Sequence, residues 1–84
     1  MNAIEWAKTA KKQLQQLNPK DRKTVYSGVA TLARFPNCGN VKRLTHHQYD
    51  YRLRIGRYRV FFEFKSDIKI VKIEEVKKRD DRTY

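Results

Sequence analysis

The chain has 84 residues and carries 20 Lys+Arg against 9 Asp+Glu, a net charge of +11. That length allows one small domain over residues 1–84, with a thin core, and excludes a multidomain machine. The charge excess makes mere solubility the weaker reading; it is the footprint of a nucleic-acid binder or of a domain completed by an acidic protein.

From the N-terminus, Ala3 to Trp6 reads as a first strand. Ala7, Ala10, Leu14 and Leu17 then recur at helical spacing, with Lys8, Lys11, Lys12 and Gln15 between them. Asn18-Pro19 ends that helix and starts the next: Asn18 suits the N-cap, Pro19 the first helical position, and Asp21 the positive end of the helix dipole. The second helix points Val25, Val29, Leu32 and Ala33 inward and fades before Phe35-Pro36, giving an α-hairpin. "PNCGN" is a loop, and Val41 to Leu44 begins a strand or leads into one. "THHQ" reads as a turn.

"YRLRIGRYRVFFEF", residues Tyr51 to Phe64, reads as a β-hairpin around Gly56-Arg57, a Gly-X pair suited to a two-residue type II′ turn. That turn sets the register: Ile55 opposite Tyr58, Arg54 opposite Arg59, Leu53 opposite Val60, Arg52 opposite Phe61. One face is apolar throughout, and the other presents Arg52, Arg54, Arg59, Phe61 and Glu63 to solvent. Lys65-Ser66-Asp67 is a further turn. Ile68 to Val76 is a last strand whose apolar residues change parity, the mark of a bulge or of a strand covered on both sides. The predicted class is α+β, in the order β-α-α-β-β-β, with a mostly antiparallel sheet and the helical hairpin on its apolar face.

The arginine-bearing face carries the chemistry. Like charges directly across a ladder destabilise it, so Arg54 opposite Arg59 has no structural motive. A phosphate bound between two guanidinium groups supplies one. An incidental solvated face is the weaker reading. Phe61 is suited either to stacking on a base or to packing under the C-terminal tail. Lys77, Lys78, Arg79, Arg82 and Tyr84 form a basic tail that either frays or folds back over the same face. The single cysteine, Cys38, excludes an intrachain disulfide and fits a reducing cytosol. With His46 and His47 it makes no zinc pattern, so no metal is expected. No apolar run approaches a membrane span and "MNAIEWAK" lacks the apolar stretch of a signal peptide, so a soluble, cytoplasmic protein with no membrane partner is expected.

The hairpin, with "IEW", "LQQLNPKDRK", "RFP" and the tail "RDDRTY", resembles the RelE/ParE superfamily of bacterial type II toxin–antitoxin toxins. The likeness spans nearly the whole chain. It implies a RelE-like endoribonuclease that cleaves mRNA in the ribosomal A site, in contact with ribosomal RNA, and is neutralised by a cognate, acidic antitoxin. Carried over by position, it implies catalytic roles for Arg59, Arg79, Tyr84 and Arg54, with Arg52 holding the RNA backbone, and no cofactor. Phe61, Lys77, Lys78 and Arg82, on the polar face and tail, are further candidate RNA-binding residues. ParE-like members inhibit DNA gyrase instead, and an RNA- or DNA-binding module without activity is the third reading. One departure stands out. Well-studied RelE-like toxins place lysines where this chain has Arg52 and Arg54, and an arginine does not give up its proton. Glu63, Asp50, His46 and His47 are the titratable alternatives nearby.

Overall fold

The computed structural model describes residues 1–79. Five strands and two helices follow the order β1 (Ala3–Trp6), α1 (Lys8–Gln15), α2 (Pro19–Ala30), a 3₁₀ turn (Thr31–Arg34), β2 (Val41–Arg43), β3 (Tyr51–Ile55), β4 (Tyr58–Lys65) and β5 (Ile70–Lys78). The fold class is the α+β arrangement expected, with one strand added: Val41–Arg43 is a strand in its own right. In the sheet the order is β1-β5-β4-β3-β2. β1 runs parallel to β5, and every other pairing is antiparallel. Among the described residues no helix is long and apolar enough to cross a membrane.

Local chemistry accounts for the helical hairpin. Asn18 accepts a hydrogen bond from the Asp21 backbone N–H at 2.8 Å, capping α2, and Pro19 occupies its first position. α1 packs on β5 and α2 on β3. Between helices and sheet lie Val25, Val29, Leu32, Val60, Phe62, Val71 and Ile73, all fully buried. Ala33, expected inward, is only half-buried. The Tyr58 hydroxyl donates to the Asp21 carboxylate at 2.6 Å, tying β4 to the start of α2. That bond holds the Asp21 carboxyl below its usual range, and it pushes the Tyr58 phenol up.

The β3–β4 register is the one that the sequence set: Ile55 opposite Tyr58, Arg54 opposite Arg59, Leu53 opposite Val60, Arg52 opposite Phe61. Gly56 has φ +56, a left-handed conformation that glycine adopts without strain and that a type II′ turn needs at its first position. The last strand starts later than expected, because Ile68 is 57% exposed in a turn closed by Lys69 at φ +52. Its parity change is a bulge. Phe61 pairs with Glu75 and Phe62 with Ile73, which leaves Glu74 as the inserted residue. The extra residue turns Val76 to the same buried face as Val71 and Ile73. Beside it the Val76 N–H donates to Gln13 Oε1 of α1 at 2.7 Å.

Candidate functional site

The polar face of the sheet is organised in rows that cross the strands. Next to the Gly56 turn runs Arg54–Arg59–Lys77, each residue paired with the next. The second row is Lys42–Arg52–Phe61–Glu75. In the third, Glu63 pairs with Lys72 and bonds to the Asp50 carboxyl. Successive rows lie about 7 Å apart, two residues along a strand.

At the basic end Arg52, Arg54, Arg59, Arg79 and Gly56 line a cavity of about 200 Å³. Arg79 reaches it because its backbone N–H donates to the Arg57 carbonyl at 2.6 Å, which turns the end of β5 toward the hairpin. Among the described residues no carboxylate lines this cavity. The Nε of Arg52 is buried and bonds to nothing in the described structure. A buried donor left unpaired costs roughly 1–3 kcal/mol, a cost that an anion in the cavity would remove. Planar guanidinium groups converging on one space are suited to a phosphate, which accepts two parallel N–H bonds from each fork.

Of the expected site residues, Arg52, Arg54, Arg59 and Arg79 therefore meet, and Lys77 joins them in the Arg59 row, 3.8 Å from Glu75. Two expectations need correction. Phe61 is not a solvent-facing ring: it is 8% exposed, stacked under His47 with ring centres 5.0 Å apart and planes at 14°, and flanked by Tyr49 at 5.9 Å. The segment from His47 to Tyr49 covers it. Lys78 pairs with Tyr58 and so belongs to the helix-facing side of β5, away from the arginines. Arg82 and Tyr84 lie outside the described residues.

Lys42 was missed. It sits in the Arg52 row, exposed; the sequence left Val41 to Leu44 open between a strand and a lead-in, and without its pairing partner the face of Lys42 did not follow.

The titratable candidates do not reach the cavity. Burial, together with the hydrogen-bonded carboxyl of Asp50, pushes Glu63 up to about 7. Four residues of strand, about 13 Å, separate it from Arg59, and Phe61 stands between them. His46 and His47 are likewise absent from the cavity lining. Tyr49 has its phenol pushed up by burial and by its hydrogen bond to Glu75. Its own place is beside Phe61.

Comparison with known proteins agrees with this architecture. The model of the ParE toxin of type II toxin–antitoxin systems matches residues 4–82. The RelBE2 toxin–antitoxin complex of Mycobacterium tuberculosis is similar in fold, with TM-score 0.80 at 23% identity over 93% of this chain and 98% of that one. The archaeal RelE–RelB complex of Pyrococcus horikoshii gives 0.78 at 26% over 95% and 97%. The isolated Escherichia coli RelE toxin gives 0.79 at 15% over 95% and 86%. No curated protein matches the sequence significantly. With a family model spanning nearly its whole length and a sheet and helical hairpin shared with RelE, the chain belongs to the ParE toxin family and is a toxin of the RelE/ParE superfamily.

Proposed function

We propose that this toxin is an endoribonuclease that cleaves mRNA in the ribosomal A site by attack of a 2′-hydroxyl on the adjacent phosphate. The observation that carries the reading is the arginine-lined cavity with the unpaired, buried Arg52 Nε. In the reaction the 2′-O–P bond forms and the P–O5′ bond breaks, leaving a 2′,3′-cyclic phosphate and a 5′-hydroxyl. The 2′ proton departs and the 5′ oxygen gains one. Arg59 stabilises the phosphorane charge, Arg79 the leaving oxygen, and Arg54 and Arg52 hold the backbone in line. Tyr84 orients or stacks the substrate, and Lys77 adds long-range attraction. Arginine does not give up its proton, and no carboxyl or imidazole of the described residues lines the cavity. In this reading alignment and charge stabilisation therefore carry catalysis, and ribosomal RNA completes the alignment. Free RNA is then a poor substrate.

An acidic antitoxin is the natural partner of a chain with net charge +11, and the similar RelBE structures are toxins held by their RelB antitoxins. A second reading has its own support, because the family model that matches is that of ParE. In that reading the chain inhibits DNA gyrase and cleaves nothing. Expression in cells followed by mapping of mRNA 5′ ends separates the two. Cuts in phase with codons are expected, relieved by co-expressed antitoxin; DNA breaks with intact mRNA would establish the gyrase reading instead.

A further inference from the structure

Phe61 was the base-stacking candidate on the sheet face, and it is 8% exposed. What covers it is itself a planar ring. His47 is exposed, lies nearly parallel to Phe61, and has its Nδ1 fixed by the Tyr49 backbone N–H at 3.1 Å. The turn that presents it contains His46 at φ +54. One face of the imidazole is therefore spent on Phe61 and the other faces solvent, with the ring held in place before any ligand arrives.

Its position gives that outer face a use. Phe61 belongs to the row next to Arg54–Arg59, about 7 Å from it along the strand. This matches the separation of phosphate and base within one nucleotide. Beyond Phe61 the face carries the hydrogen-bonded carboxyls of Glu63 and Asp50 and the bulged Glu74, with Lys72 as the cation paired to Glu63. A phosphate backbone is thus drawn to the arginine end, where no carboxylate of the described residues lines the cavity. A base, uncharged, can extend across the boundary. We propose that the outer face of His47 is a nucleobase-stacking site for the nucleotide whose phosphate occupies the arginine cavity. The inference rests on the RNA reading above. Stacking discriminates little among bases, so the site recognises a base as such and leaves its identity to others.

The test uses the whole chain at low salt, with a labelled short single-stranded RNA and an abasic oligomer of the same length. Wild type should bind the RNA about 5- to 100-fold more tightly than the abasic chain, the weight of one stacked base. His47→Leu keeps Phe61 covered and lacks a planar ring, so it should lose that preference and bind the abasic chain as wild type does. His47→Phe should restore the preference. If His47→Leu keeps the preference while Arg59→Ala still weakens both oligomers, the stacking site is wrong and the RNA reading stands. If His47→Leu weakens both oligomers alike, His47 only supports the loop, and the proposal fails. If wild type binds neither oligomer, the RNA reading falls and takes the proposal with it.

Discussion

The Gly56 end and the Glu63 end of the same sheet face both crowd like charges together, and they relieve the crowding by different chemistry. Arg54 faces Arg59 across the hairpin, and a guanidinium stays protonated at any ordinary pH, so only negative charge can offset its repulsion, the role we propose for a phosphate. Asp50 and Glu63 meet at the other end, where burial and the hydrogen bond to Asp50 push Glu63 up to about 7, so that this pair can hold a proton. A carboxyl pair can relieve its repulsion by holding a proton, whereas a guanidinium pair cannot.

The largest effect that would break this comparison is at the arginine end. Arg59→Ala should lower single-turnover cleavage on programmed ribosomes by roughly 10²–10³, the usual loss on removing one preorganised contact to a developing oxyanion. Thermal melting should change by no more than about 1 kcal/mol, since Arg59 lies outside the apolar core. Arg59→Lys should recover only part of the rate, because a point charge does not replace a planar fork. Full-rate cleavage by Arg59→Ala would remove the cavity from the mechanism.

Phe61 divides the two ends, and its burial makes a structural prediction. Phe61→Ala should destabilise the chain by about 3 kcal/mol, as expected for a buried aromatic ring. The measurement is urea denaturation, with the midpoint lowered and the slope unchanged. A loss under about 0.5 kcal/mol would mean that the ring is exposed in solution.

Salt sharpens the arginine end further. Three or four phosphates neutralised on single-stranded RNA should weaken binding about 20- to 50-fold between 50 and 200 mM salt. Arg52→Ala should flatten the slope of log K against log salt by about 0.7, the share of one phosphate. An unchanged slope would place the Arg52 side chain outside the RNA path.

The smallest effect is at the carboxylate end. Folding raises the Glu63 pKa from its ordinary 4.5 to about 7, so the fold favours the protonated form. The stability that the proton contributes is fully present below about pH 4.5 and is lost as pH rises through 7. Glu63→Gln keeps a neutral partner for Asp50 at every pH. At pH 8 it should melt above wild type by about 4–8 °C, the shift given by roughly 1 kcal/mol in a chain of this size once solvent screening is allowed for. At pH 4.5 the two should melt together. Equal melting at both pH values would show that Glu63 and Asp50 do not share a proton.

Much of this was fixed by local rules. The Asn18-Pro19 cap, the positive φ of Gly56 and the alternation of Tyr58, Val60 and Phe62 each act within a few residues, so helix start, hairpin register and buried face followed from the sequence alone. The Arg54–Arg59 opposition came with that register, as did Arg52 on the same face, so three of the four cavity arginines were legible from the hairpin alone. The rest depended on residues distant in the chain. A three-residue strand, Val41–Arg43, has too little pattern to declare itself and exists because β3 pairs with it. Arg79 enters the cavity through a hydrogen bond to Arg57. Whether Phe61 faced solvent or lay buried was decided by His47 and Tyr49, in a segment whose composition reads only as a turn. Alternation tells which face a side chain takes; what lies on top of that face is set by where other segments come to rest, and only the packed chain determines it.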